Sequence, residues 1–364
     1  MVRPIRKAGM LLAGGLLLEY VVFPQLAGAR KALHLLGGVN VALLLLAVVL
    51  EAAALAAYAQ LTASLLPPES RPPYRTVLRI DLATLAVSHV LPGGSAAAGA
   101  VGFDLLGDAG VRRPDAGLAL ATQALGSAVV LNVLLWIGLM VSIPARGFNP
   151  LYGTAALIGA ALIAGVSVAV VLLTRGEDRA ARLLCRFATH LPLVDAPQVE
   201  KGVHRIADRL RVLAGDRPLL YRAARWAAAN WLADAAALWV VVAAFGYRVA
   251  PDSLIVAYGL ANVTAAIPVT PGGLGVMEAV LTTALVGFGA PRGIAILGVV
   301  GWRLLNFWLP IPIGTGAYVS LRLGRPSGRP QVVAELRKLF DKAAGKAEDV
   351  GRWAVRHGLR ITRF

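Results

Sequence analysis

Two oppositely charged residues, Glu278 and Arg303, stand in otherwise apolar stretches of the sequence and are suited to holding a charged group. Glu278 lies seven residues after Pro271, which begins a Pro-Gly-Gly motif, and Arg303 lies in the next long apolar stretch. A charged side chain in the hydrocarbon region of a bilayer is costly and by default indicates a function. We therefore expect the two side chains to line a polar cavity and to contact a charged or zwitterionic headgroup, or a coupling proton. A structural ion pair that holds two helices together is the alternative.

The Pro-Gly-Gly sequence occurs at residues 92–94 and again at residues 271–273. Such a motif ends one helix, leaves backbone N–H groups free and begins another helix, whose N-terminus carries a partial positive charge. Near or within a membrane, these N–H groups can bind a phosphate or a carboxylate. The glycines expected to take part in substrate binding are Gly93, Gly94, Gly272, Gly273 and Gly275. No Gly-Lys-Ser/Thr follows either motif, so neither is a nucleotide-binding loop of the Walker type.

Further polar residues lie in the same apolar stretches. Asp234 shares a helix face with an asparagine four residues before it, Asn262 precedes the second motif, and Asn306 follows Arg303 by three residues. Glu51 has no obvious partner. Asp234, Asn262 and Asn306 are candidate substrate-binding residues that form a polar wall, although hydrogen bonds between helices explain them equally well.

No set of residues suited to catalysis is found. The sequence has no His-x-x-x-His, no paired cysteines and no Gly-x-Ser-x-Gly. Its single cysteine, Cys185, excludes an intramolecular disulfide and a cysteine-based metal cluster. We expect a protein that is not an enzyme and that binds neither a metal ion nor a cofactor.

The composition is that of a membrane protein. Hydrophobic residues make up 57% of the sequence and charged residues 15%, and the mean hydropathy is +0.69. Soluble domains are about 45–50% apolar and about 25% charged. The formal net charge of +16 is located beside the apolar runs, which favours attraction to anionic lipid headgroups and argues against nucleic acid as a partner.

The predicted fold is all-α and polytopic, with about ten apolar segments, because a span needs about 20 apolar residues. The segments are 9–27, 39–63, 75–91, 94–110, 115–143, 151–174, 222–245, 252–269, 273–289 and 292–321. The fourth and the ninth, each led by a Pro-Gly-Gly motif, are short and rich in small residues. They either cross the membrane or enter it and return to the same side.

Basic residues predict which side of the membrane the connections face. Segment 175–217 contains nine Arg and Lys residues and is expected to be a cytoplasmic loop within a transmembrane domain at 1–322. The basic tail, 323–364, has apolar residues at helical spacing and is expected to form an amphipathic helix on the cytoplasmic membrane surface, with a solvated tail as the alternative. The expected location is the cell membrane, and if all ten segments cross it, both termini are cytoplasmic.

The two motifs also begin an internal repeat. Residues 92–110 and 271–289 share seven identities over nineteen positions, and each motif follows an apolar span, precedes a short helix and leads into a long span. Under the predicted topology the two motifs lie on opposite sides of the membrane, so the halves are inverted. Short helices at matching places in two inverted halves indicate a transporter binding site. Glycines that only permit tight turns and close helix packing are the alternative.

The second motif and its surroundings resemble the signature of a known family. The run Pro-Gly-Gly-Leu-Gly-Val-Met-Glu-Ala at 271–279 is followed by Gly289, Pro291, Trp-Arg-Leu at 302–304, Trp-Leu-Pro at 308–310 and Gly314. This pattern, with Leu-Pro-Gly-Gly at 91–94, resembles the lysylphosphatidylglycerol synthase transmembrane, or flippase-like, family, over nearly the whole chain. Many relatives carry Gly-Glu shortly after the first Pro-Gly, where this chain has Ala96-Ala97, so a charged role is expected of the second motif.

The resemblance implies translocation or binding of a lipid. It does not imply synthase activity, which in that family belongs to a separate soluble domain that we expect this membrane member to lack. The first hypothesis is thus a flippase-like transporter of a phospholipid or a lipid-linked substrate with an anionic or zwitterionic headgroup. The second is a non-transporting scaffold that binds lipid and recruits a cytoplasmic lipid or cell-envelope enzyme through the 175–217 loop or the tail.

Overall fold

The computed structural model describes residues 39–91, 94–146, 152–161, 164–165, 216–265 and 271–323. Within these residues the chain forms helices and turns, with 88% helix and no strand. The all-α fold expected from the sequence is therefore confirmed.

Ten α-helices form the described part of the chain. They are α1 (Val41–Leu65), α2 (Tyr74–Val90), α3 (Gly94–Asp108), α4 (Arg113–Arg146), α5 (Tyr152–Ala161), α6 (Arg217–Ala244), α7 (Pro251–Ala265), α8 (Val276–Gly287), α9 (Arg292–Arg303) and α10 (Pro310–Leu323). A π-helical turn, Leu304–Trp308, joins α9 to α10 without a break, and a 3₁₀ turn, Pro271–Gly273, precedes α8.

Four helices within the described residues are long and apolar enough to cross a membrane. They are α1, α4, α6 and the continuous helix Arg292–Arg322 made by α9, the π turn and α10. The first of them, α1, begins where the Asn40 side chain accepts a hydrogen bond from the Leu43 backbone N–H. Its apolar side chains Val41, Leu45 and Val49 are more than 60% exposed in the isolated protein, as expected of a surface that faces lipid.

The helices on either side of each Pro-Gly-Gly motif are shorter. Helices α2 and α3 have 17 and 15 residues, and α7 and α8 have 15 and 12. At 1.5 Å per residue they are about 18–26 Å long, which is less than the hydrocarbon thickness of about 30 Å. Helix α2 packs against α3, and α7 packs against α8. Whether these helices cross the membrane or enter it and return, and the ten crossings expected from the sequence, stay predictions.

The two halves of the chain have the same order of elements and exchange partners when they pack. A long helix, a hairpin and a second long helix occur once as α1 to α4 and once as α6 to α10. Helix α1 packs along α6, α2 packs against α10, and α7 packs against α4. Gly110 and Gly289, which are paired in the sequence alignment, both adopt a positive φ, 94° and 95°, after the short helix of their half. This reciprocal packing is the arrangement expected of an internal repeat.

Close contacts across the repeat need glycine. A Cβ atom added to Gly314 in α10 would overlap the backbone carbonyl oxygen of Leu82 in α2. A Cβ atom added to Gly138 in α4 would lie 2.9 Å from the Ile255 side chain in α7. Small residues allow helix backbones to approach closely in a membrane, where van der Waals packing holds helices together.

The predicted segments coincide with described helices wherever the structure describes them. Segments 39–63, 75–91, 94–110, 115–143, 222–245, 252–269, 273–289 and 292–321 overlap helices, and segment 151–174 is described in part as α5. Segment 9–27, most of the 175–217 loop and nearly all of the 323–364 tail lie outside the described residues.

Candidate functional site

Glu278 and Arg303 form a buried ion pair beside the second Pro-Gly-Gly turn. The Arg303 Nε donates a hydrogen bond of 2.6 Å to Glu278 Oε1, and the residues are 2% and 7% exposed. The second guanidinium contact is from Nη2 to the Gly272 carbonyl oxygen, at 3.1 Å. The other carboxylate oxygen of Glu278 accepts a 2.6 Å hydrogen bond from the Gly275 backbone N–H. Both groups are thus bonded to each other and to the turn.

The local sequence explains why Glu278 is placed here. Gly272, Gly273 and Gly275 have φ values of 55°, 68° and 84°, a backbone conformation that glycine adopts at no steric cost. Gly275 is the N-cap of α8, and Glu278 occupies the third helical position, from which a glutamate reaches back to the N-cap N–H. The negative charge therefore lies at the positive end of the α8 dipole.

A second polar cluster surrounds Asp234. Its carboxylate accepts hydrogen bonds from the Tyr258 hydroxyl at 2.7 Å, the Trp302 Nε1 at 2.7 Å and the Asn306 Nδ2 at 3.1 Å. The same Asn306 amide group donates a 3.2 Å hydrogen bond to Glu51 Oε1. One residue each from α1, α6, α7 and α9, together with the π turn, therefore meet at this cluster.

The charged residues of the two clusters lie near the middle of their spans. Arg303 follows the start of its span, Arg292, by 11 residues, Glu51 follows Val41 by 10 residues, and Asp234 precedes Ala244 by 10 residues. These offsets correspond to about 15–17 Å along a helix, or half of the hydrocarbon thickness. Substrate and ion sites of membrane transporters lie at this depth.

The first half of the chain carries a smaller polar cluster built from the corresponding helices. Asp81 in α2 accepts a 2.7 Å hydrogen bond from the Thr62 hydroxyl in α1, and Gln123 in α4 donates a 2.7 Å hydrogen bond to Thr62 Oγ1. Gln123 aligns with Trp302 in the repeat. Among the described residues, the side-chain hydrogen-bonding partners in this first cluster are Thr62, Asp81 and Gln123, and none of them is an arginine.

The two hairpins meet at Phe307 in the π turn. The His89 ring, near the end of α2, stacks on the Phe307 ring at 4.3 Å between centroids, and His89 Nδ1 lies 3.0 Å from the Phe307 carbonyl oxygen. The Arg303 guanidinium carbon is 4.3 Å from the centroid of the same ring, a cation–π distance. A Cβ atom added to Gly272 would overlap this ring. Phe307 therefore connects the end of the first hairpin, the second Pro-Gly-Gly turn and the buried arginine.

The structure brings together six of the ten residues expected to bind substrate. Glu278, Arg303, Gly272 and Gly275 share one set of hydrogen bonds, and Asp234 and Asn306 share the other. The Asn262 amide donates to the backbone of Tyr258 in its own helix, Gly273 packs against Ala265, and Gly94 packs against the backbone of Ser88. Gly93 lies outside the described residues.

Sequence reasoning did not place Tyr258, Trp302 or Phe307 in the site. Trp302 was named only within the Trp-Arg-Leu run at 302–304, whereas its indole N–H is bonded to Asp234 and its side chain is fully buried. The sequence signal that could have placed Trp302 in the site was its position next to Arg303. Within the described residues, no group of three or more His, Cys, Asp or Glu side chains is arranged to hold a metal ion.

The fold and site define a class of protein: a polytopic helical membrane protein with an internal repeat and a hydrogen-bonded charged network at mid-span. The model of one family, described as the lysylphosphatidylglycerol synthase TM region, matches residues 9–314. The chain belongs to this family, as its motifs indicated. It is also similar to a UPF0104 membrane protein of Methanothermobacter thermautotrophicus, with 31% identity over 85 residues, which are 23% of this chain and 25% of that protein.

Proposed function

We propose that this chain is a flippase-like lipid transporter of the cell membrane, and that Arg303 binds the phosphate of the lipid headgroup. The observation that carries the proposal is the guanidinium of Arg303, buried at mid-span and held by Glu278 and the Gly272 carbonyl oxygen at a glycine turn. The family is that of a membrane region associated with a lipid synthase, which supports a role with lipids.

The chemistry of the ion pair suggests how a headgroup binds. A phosphate offers a guanidinium two oxygens in the same geometry as a carboxylate, and arginine binds both groups through charge-assisted hydrogen bonds. Glu278 then occupies the place of the phosphate when no lipid is bound. Because a buried arginine without a partner is strongly unfavourable, the exchange keeps Arg303 paired throughout. The displaced Glu278 carboxylate keeps its hydrogen bond from the Gly275 N–H at the positive end of α8.

The glycine turn at 271–275, which we call the hinge, supplies a route for the exchange. Glu278 lies in the first turn of α8, whereas its partner Arg303 lies at the end of α9 in the neighbouring span. A shift of the α7–α8 hairpin about the hinge therefore separates the two charges. The hairpins come from opposite halves of the repeat and meet at Phe307. Movement of one half against the other around a fixed mid-membrane site is the general scheme of alternating access.

A leaflet-resolved transfer assay in reconstituted vesicles tests the proposal. We expect Arg303→Ala to slow transfer of a phospholipid by about tenfold or more, because a hydrogen bond to a charged group contributes about 1.5–3 kcal/mol. Arg303→Lys keeps the charge but loses the two-pronged geometry, and is expected to give an intermediate rate. The matched control is Arg113→Ala, which removes an exposed arginine paired with exposed Asp104.

The fold of each variant is checked by its elution profile and circular dichroism. Unchanged transfer by well-folded Arg303→Ala and Glu278→Gln proteins would refute the proposal. It would favour a lipid-binding scaffold that recruits a cytoplasmic enzyme through its basic loop.

A further inference from the structure

A second group of charges, outside the Glu278–Arg303 pair, consists of two acidic residues that face each other at mid-span. Glu51 in α1 and Asp234 in α6 are 4% and 6% exposed, and both carboxyl groups accept a hydrogen bond from the same amide nitrogen. The Asn306 amide group spans them, with hydrogen bonds of 3.2 Å to Glu51 and 3.1 Å to Asp234. Two ionised carboxylates at this distance in a dry interior repel each other strongly.

The hydrogen bonds are divided unequally between the two acids. Asp234 accepts from three donors, namely Tyr258, Trp302 and Asn306, as an ionised carboxylate does. Glu51 accepts from Asn306 alone, and its buried Oε2 atom has no hydrogen-bonding partner. A buried oxygen without a donor is costly unless it carries a hydrogen of its own. A proton on Oε2 removes the repulsion and gives the orphaned atom a bond to Asp234.

No other charged or titratable group near Glu51 and Asp234 neutralises the pair in place of this proton. Tyr258 on α7 is an acid and supplies no positive charge. Arg303 at the end of α9 attracts Asp234 but is bonded to Glu278 and Gly272. On α2, Asp81 is bonded to Thr62, about three turns along α1 from Glu51. Neither α4 nor α10 contributes a charged group with a described bond to either acid.

We propose that Glu51 and Asp234 form a proton-binding site, with the proton on Glu51, and that its release is coupled to headgroup movement. A metal ion suits the site less well, because the oxygens of Asp234 are already occupied by N–H and O–H donors. The coupling part rests on the proposed function, whereas the proton site stands without it.

The path of coupling runs along one short stretch of chain. Trp302 and Asn306 bind Asp234, and Arg303 lies between them in sequence. When Glu51–COOH releases H⁺ and becomes a carboxylate, the pair gains one negative charge. That charge pulls the Arg303 guanidinium toward Asp234 and weakens its bond to Glu278, which frees the guanidinium for the headgroup phosphate. Protonation restores the closed ion pair.

Infrared difference spectroscopy of the protein in lipid vesicles tests the proton site without reference to transport. We expect an absorption of a protonated carboxylic acid at neutral pH that disappears as the pH is raised. The part of this band that ¹³C-labelled glutamate shifts should be lost in Glu51→Gln, whose amide keeps the shape and donates an N–H to Asp234, and kept in the control Asp81→Asn. In wild-type protein, ¹³C-labelled glutamate should shift the band, so the test holds even if Glu51→Gln fails to fold. A band that neither the label nor Glu51→Gln changes overturns the proton site.

Transfer in the same vesicles tests the coupling. An imposed pH gradient should change the rate of lipid transfer by the wild-type protein severalfold and leave the rate of Glu51→Gln unchanged. Equal responses of the two proteins overturn the coupling. If the wild-type protein transfers no lipid, the proposed function fails, while the infrared result still decides whether Glu51 holds a proton.

Discussion

The energetic coupling between Glu278 and Arg303 is the most quantitative consequence of the site. Their side chains are 9% and 3% exposed, so removing one partner leaves a buried charge uncompensated. Such a change costs about 3–5 kcal/mol of folding free energy. Glu278→Gln retains an oxygen for the Gly275 N–H and therefore isolates the loss of charge. Glu278→Ala also loses that helix cap, which adds about 1 kcal/mol.

A double-mutant cycle measures the coupling. The variant Glu278→Gln/Arg303→Gln has no uncompensated charge, so we expect it to be destabilised by at least about 2 kcal/mol less than the sum of its two single variants. Unfolding equilibria in mixed micelles, monitored by tryptophan fluorescence, give the three free energies. The control cycle uses Arg113 and Asp104, whose side chains are 62% and 58% exposed, and should give a coupling below about 1 kcal/mol. Additive effects of Glu278→Gln and Arg303→Gln would refute the ion pair.

Three further substitutions test the packing around the site. Gly272→Ala forces a positive φ on a residue with a side chain and overlaps the Phe307 ring, so it should lower stability by about 1–3 kcal/mol, with part of the loss restored by Phe307→Leu. Gly314→Val should separate α10 from α2 and reduce cysteine cross-linking between these helices, whereas cross-linking between α1 and α6 stays normal. Tyr258→Phe removes one of the donors to Asp234 and should cost about 1–3 kcal/mol in the same unfolding measurement, because a hydrogen bond to a charged group is lost.

The helices were predictable because the apolar runs have the length that a bilayer imposes. The long runs of α1, α4 and α6 predict spans, and the structure has helices there. The Pro-Gly-Gly motifs predict where helices end, since proline and glycine each disfavour a continuous helix. The sequence offered an ion pair of Glu278 with Arg303 as the alternative to a cavity lined by both, because two opposite charges in neighbouring apolar spans have few other ways to be neutralised, and the structure contains that pair.

The partners of the neutral residues were not predictable. Asp234 binds Trp302, 68 residues away, and Asn306 binds Glu51, 255 residues away. These contacts depend on how α1 and α6 pack, which helical periodicity does not specify. The π turn at Leu304–Trp308 has no signal in the sequence, yet it directs Asn306 toward both acids while Phe307 reaches the hinge.

The central claim, that a lipid phosphate replaces Glu278 at the Arg303 guanidinium, is tested most directly by photo-crosslinking with a phospholipid that carries the reactive group in its headgroup. The account predicts labelled peptides from the Pro-Gly-Gly turn at 271–273 and from the π turn, with stronger labelling in Glu278→Gln and none at these places in Arg303→Gln. Labelling confined to the outward apolar face of α1, and equal in all three proteins, would contradict it.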